Sequence, residues 1–193
     1  MSISAKIVAD SISPDGIRLI SMQLRYPRFI HSEFMTHRDF TRNASSSRAI
    51  PVKRLIEDLR RDIAAPVHWG RNQSGMQARS ELDPETRRRV MALWAEAAER
   101  AIEMAEAMNA LGAHKQIVNR VLEPFAHINV LVTATRWANF FALRRHPDAQ
   151  PEIKALADAM WQAQQDSTPT ALEPGQWHLP YVTPDDVAAI SKI

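Results

Sequence analysis

Two segments near the start of the chain, residues 4–12 and 17–24, alternate between apolar and polar positions as half-buried strands do. The run Ser13-Pro14-Asp15-Gly16 between them is typical of a tight turn. The pattern therefore predicts an N-terminal β-hairpin whose second strand ends at Pro27. Residues 29–36 predict a short helix with four inward-facing apolar side chains, Phe29, Ile30, Phe34 and Met35.

The clearest helix follows Asp83, a favourable N-cap with Pro84 at the first helical position. Apolar residues then repeat with the period of an α-helix as far as Met108, and Gly112 is well placed to end the helix. Other predicted elements are helices over residues 51–63, 113–122, 136–143 and 150–165 and a buried strand over residues 125–135. Irregular structure is predicted for residues 37–50, residues 65–81 and the proline-rich tail after Ser167.

These elements predict an α+β fold in which a long helical core is joined to a small, mainly antiparallel sheet. The length of 193 residues, 45% of them hydrophobic, suits one domain with a single packed core. The domain is expected to span residues 1–193, with the irregular tail starting at about residue 167.

The composition narrows the chemistry that is available. The chain has no cysteine, which excludes disulfides, thiolate metal sites and cysteine nucleophiles. Because no apolar run is long enough to span a bilayer and the N-terminus lacks a signal-peptide core, a soluble, cytoplasmic protein is expected. The net charge is only +2, yet residues 25–61 hold nine Lys and Arg against four Asp and Glu. This excess favours an anionic ligand, although a solvated helix face would explain it equally well.

Three polar clusters carry candidate chemistry. The first is one predicted loop that combines an imidazole, guanidiniums, an amide and hydroxyls, namely His37, Arg38, Thr41, Asn43, Ser46 and Arg48. Guanidinium forks match phosphate oxygens, so this loop predicts a phosphate site, with a solvated basic loop as the alternative. The second cluster is Asn139 to Arg144 with Gln150-Pro151-Glu152, and the third is Asn119-Arg120 with Glu123. When the second and third clusters are considered alone, salt bridges and contacts at helix ends explain their residues without a functional site.

In this order, the three clusters resemble the flavin-dependent thymidylate synthases. The family signature is an Arg-His-Arg followed by spaced Ser, Asn, Glu, Ser and Arg. Its counterpart here is Thr36-His37-Arg38-Asp39-Phe40-Thr41-Arg42-Asn43-Ala44-Ser45-Ser46-Ser47-Arg48. A later family block is matched by Asn139, Leu143-Arg144 and Ala149-Gln150-Pro151-Glu152-Ile153. The resemblance covers residues 17–165, and the later block is the more specific match because both its residues and its spacing hold.

The resemblance implies an enzyme that uses FAD, with NADPH and methylenetetrahydrofolate as co-substrates. Such an enzyme transfers a one-carbon unit to carbon 5 of a pyrimidine deoxynucleotide monophosphate, and dUMP to dTMP is the expected conversion. The cofactor supplies the hydride, so no protein nucleophile is needed, which agrees with the absence of cysteine. The resemblance also implies a homotetramer whose active sites are shared between subunits.

The family's site residues transfer position by position. Cofactor contacts are expected from His37, Arg38 and Asn43, and from Asn139 of another subunit. The nucleotide phosphate is expected to bind Ser46 and Arg48 together with Arg120 of a neighbour. Arg144 is the expected catalytic residue, because it would lie against the pyrimidine ring and stabilise the negative charge that develops there.

Four positions depart from the family pattern. Thr36, Ala44, Ala49 and Thr135 stand where the family has Arg, Glu, an aromatic residue and Arg. Glu33 stands where a Gln is common and is a candidate contact for the base. These departures suggest that the base is cytosine instead of uracil, that the product is hydroxymethylated instead of methylated, or that the chain is an inactive relative.

Two other kinds of function compete with this interpretation. A nucleic-acid-binding module would use the basic N-terminal half, with Phe40 and Trp69 stacking on bases. The near-neutral charge and the absence of a recognised binding motif argue against it. A metal site is disfavoured because the seven histidines show no compact ligand spacing. Residues 66–81, rich in glycine and amides, suit either a mobile lid over a bound ring or a plain surface loop.

Overall fold

A computed structural model gives the fold and describes residues 3–190. Its centre is a five-stranded sheet with the strand order β3-β4-β2-β1-β5. The strands are β1 (Ser4–Ile12), β2 (Arg18–Pro27), β3 (Thr41–Ala44), β4 (His127–Ala134) and β5 (Thr170–Ala171). All neighbours pair antiparallel except β1 and β5, which are parallel. The predicted hairpin of β1 and β2 is confirmed, and Gly16 in its turn adopts a φ of 79°, which favours glycine.

The described residues contain seven α-helices: α1 (His31–Phe34), α2 (Val52–Arg61), α3 (Pro84–Ala110), α4 (Lys115–Val118), α5 (Ala138–Arg144), α6 (Pro151–Gln165) and α7 (Pro184–Ile190). Short 3-10 turns lie at Arg28–Ile30, Asn119–Val121 and Glu123–Phe125. The helix predicted after Asp83 is confirmed, because the Asp83 side chain accepts hydrogen bonds from the first-turn amides of α3. The α+β class with a mainly antiparallel sheet is confirmed as well.

The core has two parts. The first lies between the inner face of the sheet and helices α5 and α6, with Met22, Val132, Phe140 and Leu156 among its buried members. The second joins α2 to α3 and α4 through residues such as Leu59 and Ile102. On α3, the buried residues Ala98, Ile102 and Ala105 form one narrow stripe of the kind that helical spacing predicts.

Several local predictions are wrong. Residues 28–34 form a 3-10 turn followed by a single α-helical turn, so only Ile30 and Phe34 face the core. Phe29 and Met35 are therefore 36% and 43% exposed instead of inward-facing. The helix predicted over 113–122 is limited to α4, because the chain tightens into 3-10 turns ahead of Pro124.

Two segments that were predicted to be irregular contain regular structure. Strand β3 lies within residues 37–50, and the tail after Ser167 contributes β5 and α7. Residues 65–81 form no helix or longer strand, as predicted, but a single bridge between Gly70 and Glu81 folds this loop back on itself.

Candidate active site

A cavity of about 370 Å³ opens between residues 36–40 and helix α5. Four of the predicted site residues line it, namely His37, Arg38, Asn139 and Arg144. Helix α5 turns Phe140 and Phe141 into the core, while Asn139 and Arg144 face the cavity. The structure thus brings together residues that are about a hundred positions apart in the chain.

Arg144 and His37 are in direct contact. The Nε of Arg144 donates a hydrogen bond of 2.8 Å to Nε2 of His37, so the imidazole is neutral with its proton on Nδ1. The pKa of His37 lies below its ordinary value because burial disfavours the charged ring and because Arg144 and Arg42 repel it, which Asp39 only partly offsets. The neutral ring leaves the full positive charge on Arg144.

Arg42 fixes the position of His37. Its guanidinium donates to the backbone carbonyls of Phe34, Met35 and His37 at distances of 3.3, 2.9 and 2.8 Å. These carbonyls belong to the end of α1 and to the turn that follows it, so Arg42 ties that turn to β3. Arg42 was not among the predicted site residues, although it lies within the signature-like segment of residues 36–48. Its role depends on contacts with the carbonyls of the preceding turn, which the segment's pattern does not indicate.

Aromatic rings form the floor of the cavity. Phe140 meets the His37 ring edge-on with a centroid distance of 4.8 Å, and Phe40 packs on Phe140 at 5.1 Å. At the rim, Arg136 donates to Asp39 over 2.6 Å and joins the two segments that line the cavity. The result is a cavity with an apolar floor and cationic walls, which suits a planar ring that carries negative charge.

A larger cavity of about 1300 Å³ adjoins the first, and Arg144 lines both cavities. Glu33 lines the larger one, together with the loop of residues 66–81 and the start of α6. Phe29 and Trp94 meet edge-on in its wall, with centroids 6.2 Å apart. This position explains why Phe29 is not in the core.

The loop of residues 66–81 is tied down at both ends. The amide of Val67 donates a 2.6 Å hydrogen bond to the carboxylate of Glu152, which is only 3% exposed and also bonds the side chain of Gln150. Near the other end, Gln77 donates to the carbonyl of Asp148 over 2.7 Å. Gly70 allows the two limbs of the loop to approach closely, because a Cβ there would lie 2.2 Å from the Cβ of Ala78. The Gln-x-Glu part of the later family block therefore anchors one wall of the larger cavity.

The predicted phosphate residues lie elsewhere. Ser46 and Arg48 are exposed in the loop after β3, and Arg120 is exposed beside the same loop of its own chain. Asn43 is exposed on β3 and pairs with Leu131 on the face of the sheet that points away from the core. These four residues line neither cavity. Within a single chain, the predicted site residues therefore form two groups, one that lines the cavities and one that does not.

The fold and the cavities define a protein with a partly buried His–Arg pair in a cavity that has an apolar floor and cationic walls. The family described as Thy1, thymidylate synthase complementing protein, has a model that matches residues 18–170, and the chain belongs to this family. The resemblance to flavin-dependent thymidylate synthases is thereby confirmed. No curated protein matches the chain significantly in sequence.

Solved structures with a similar fold include the UMP/dUMP methylase PolB from Streptomyces cacaoi. Bound with 5-Br dUMP, that enzyme superimposes with a TM-score of 0.68 at 18% identity, covering 84% of this chain and 90% of the other. Bound with 5-Br UMP, it gives a TM-score of 0.65 at 18% identity, covering 84% and 88%. At this level of identity, the similarity establishes the shared fold.

Two further observations concern the described part of the chain. None of the helices in residues 3–190 combines the length and apolarity needed to cross a bilayer. The same residues hold no group of three or more His, Asp or Glu side chains arranged to bind a metal ion.

Proposed function

We propose that the protein transfers a one-carbon unit from methylenetetrahydrofolate to carbon 5 of a pyrimidine nucleoside monophosphate, with FAD as cofactor and NADPH as reductant. The expected conversion is dUMP to dTMP. The observation that carries the proposal is the convergence of His37, Arg38, Asn139 and Arg144 on one cavity. Membership in the Thy1 family supports it, as does the fold shared with a methylase described as acting on UMP and dUMP.

The side chains of the smaller cavity fit FAD. Arg38 and Asn139 present donors for phosphate and ring oxygens, and Phe40 and Phe140 present an apolar surface to a flat ring. When bound, FAD supplies the hydride chemistry that no side chain of this chain provides. The resemblance implies that Asn139 comes from a different subunit than His37 and Arg38, whereas one chain brings all three to the same cavity. Because Asn43 instead lines neither cavity, we infer that it contacts FAD held by another subunit. Such sharing requires an oligomer, and we propose the homotetramer that the family resemblance implies.

Arg144 is the proposed catalytic residue. A guanidinium held by a neutral imidazole keeps its whole charge, and it is already oriented before any ligand binds. Negative charge that develops on the pyrimidine ring as carbon 5 becomes nucleophilic would be stabilised by this group. Glu33, on the wall of the larger cavity, would accept a hydrogen bond from a ring N–H or an exocyclic amine of the base.

The phosphate of the nucleotide would bind Ser46 and Arg48, together with Arg120 of a neighbouring subunit. These side chains are exposed and therefore accessible to a ligand that enters between chains. Guanidiniums and hydroxyls supply the charged and neutral donors that a phosphate monoester requires.

Product analysis tests the proposal. The purified protein is incubated with FAD, NADPH and methylenetetrahydrofolate and with dUMP, UMP or dCMP in parallel, and the nucleotides are identified by mass spectrometry. A methylated or hydroxymethylated base from at least one substrate is the expected result. Formation of dTMP alone would refute the cytosine and hydroxymethyl alternatives. A folded, flavin-loaded protein that changes none of the three nucleotides would refute the proposed function.

A further inference from the structure

Glu123 lies at the centre of a group of donors next to the predicted phosphate loop. Its carboxylate accepts a 2.5 Å hydrogen bond from the hydroxyl of Ser47 and forms an ion pair with Arg28 at 3.2 Å. Arg120 donates to both carboxylate oxygens, each at 3.2 Å. The side chain of Glu123 is only 19% exposed, whereas that of Arg120 is 56% exposed and is accessible to a ligand from solvent.

The loop that carries Ser46 and Arg48 is fastened to the same segment. The side-chain amide of Asn119 is buried and donates to the carbonyls of Ser47 and Ile50 at 2.7 and 2.9 Å. Residues 119–123 therefore hold the loop at Ser47 and at Ile50. The guanidinium of Arg120 and the loop with Ser46 and Arg48 consequently share one neighbourhood of a single chain.

The donors that surround Glu123 are those that a phosphate would need. One hydroxyl and two guanidiniums converge on a single anionic group, as in phosphate sites, but here that group is a carboxylate of the chain itself. Burial alone would raise the pKa of Glu123, yet Ser47, Arg28 and Arg120 together lower it below its ordinary value. Glu123 is thus ionised at neutral pH, and its carboxylate already forms an ion pair with Arg120.

We infer that Glu123 is a specificity-determining residue that competes, as a built-in anion, with the phosphate of the nucleotide for Arg120 and Ser47 of the same chain. The inference rests on the proposed function, because it assumes that this neighbourhood receives the nucleotide phosphate, with Arg120 supplied by the chain that carries Ser46 and Arg48 instead of by a neighbour. A free inorganic anion must displace the carboxylate unaided, and therefore binds weakly. A nucleotide whose base is held elsewhere in the site overcomes the competition with those additional contacts.

Anion binding by matched variants tests the inference. Dissociation constants for inorganic phosphate, dUMP and deoxyuridine are measured by calorimetry at fixed ionic strength for the wild type and for Glu123→Gln. The amide keeps an acceptor for Ser47 but removes the competing charge, so phosphate and dUMP should bind about tenfold more tightly. Deoxyuridine, which has no phosphate, should bind with unchanged affinity.

Two control variants isolate the cause. Glu106→Gln removes the same charge from an exposed ion pair with Arg60, and should leave every affinity unchanged. Adding Arg120→Gln to Glu123→Gln should abolish the gain, because the gain depends on the released guanidinium. If Glu123→Gln does not fold, the wild type can still be measured: phosphate titration should shift the NMR resonance of the Arg120 guanidinium as its Nη1 leaves Glu123.

The outcomes separate the inference from the proposed function. Equal or weaker binding of phosphate and dUMP by a folded Glu123→Gln, or no shift of the Arg120 resonance, would overturn the inference and leave the proposed function standing if dUMP still binds. Tighter binding of inorganic phosphate, with no pyrimidine nucleotide bound by any variant, would support the competition while refuting the proposed function. Failure of phosphate to bind any variant would overturn the inference.

Discussion

Two arginines that the sequence assigns to one active site are held in opposite ways. Arg144 is held by His37, whose ring is neutral and buried, while Arg120 is held by the carboxylate of Glu123. Both contacts orient a guanidinium, but only the first leaves its charge uncompensated. An arginine beside an imidazole is ready for negative charge that develops during a reaction, whereas an arginine beside a carboxylate binds an anion only by exchange.

The two surroundings arise from different parts of the fold. The partner of Arg144 comes from a turn that Arg42 fixes by binding three carbonyls, so the imidazole has little freedom to move. The partner of Arg120 belongs to the next 3-10 turn of the same segment and also binds the hydroxyl of Ser47. The contact with His37 holds the charge of Arg144 in a fixed position. The contact with Glu123 sets how tightly Arg120 can bind an external anion.

Loss of the hydrogen bond between Arg144 and His37 should reduce turnover the most. Arg144→Lys keeps the charge but loses the Nε–H that reaches His37, so kcat should fall by about 100- to 1,000-fold, as for other lost donors to developing charge. The matched control is Arg145→Lys, since Arg145 instead contacts Asp158 and the Trp161 ring. Steady-state kinetics on both variants make the comparison, and near-normal turnover by Arg144→Lys would contradict the assigned role.

Protonation of His37 should reduce turnover by a smaller factor, and only at acidic pH. Since its pKa is lowered, the ring is neutral at pH 7, and acidification below that pKa adds a proton and removes the acceptor of Arg144. Activity should therefore be level around neutral pH and fall only when the pH drops below the ordinary pKa of histidine. His37→Gln cannot titrate and should lose about tenfold in kcat, with a flatter acid limb. An unchanged acid limb in this variant would show that another group titrates.

Loosening the wall of the larger cavity should have the smallest effect. Glu152→Gln retains an acceptor for the Val67 amide but loses the charge, so the free energy of unfolding should fall by only about 1 kcal/mol. Trypsin should then cut more rapidly after Arg71 and Arg79, in the loop that Glu152 anchors. Asp166→Asn, which removes a charge at the far end of α6, is the control. Equal cleavage rates in the two variants would show that the charge of Glu152 does not anchor the loop.

Helices and strands with a periodic pattern could be predicted from the sequence, whereas the side-chain contacts that determine whether an arginine's charge is compensated could not. The strands of the hairpin and helices α3 and α6 were predicted because their buried faces repeat regularly. Strand β3 was missed because it has only four residues and because one of its two inward-facing positions holds Arg42, which donates to backbone carbonyls instead of packing as a hydrophobe.

Four of the residues that line the smaller cavity were among the predicted site residues, but the contacts between them were not predicted. His37 and Arg144 were chosen from motifs, yet they are 107 positions apart, and nothing in either motif indicates that the imidazole accepts from the guanidinium. Glu123 was noted only as part of a helix end, because its partner Ser47 lies 76 positions away. Long-range side-chain contacts of this kind depend on the packing of the sheet against the helices, which local patterns do not encode.

Release of tritium from carbon 5 of a pyrimidine nucleotide tests the central claim most directly. The wild-type protein, loaded with FAD and given NADPH and methylenetetrahydrofolate, is incubated with dUMP or UMP tritiated at carbon 5. If Arg144 stabilises a ring that becomes nucleophilic at that carbon, tritium should appear in water only when all components are present, and Arg144→Lys should suppress its release. A folded, flavin-loaded protein that releases no tritium from either nucleotide would contradict the account.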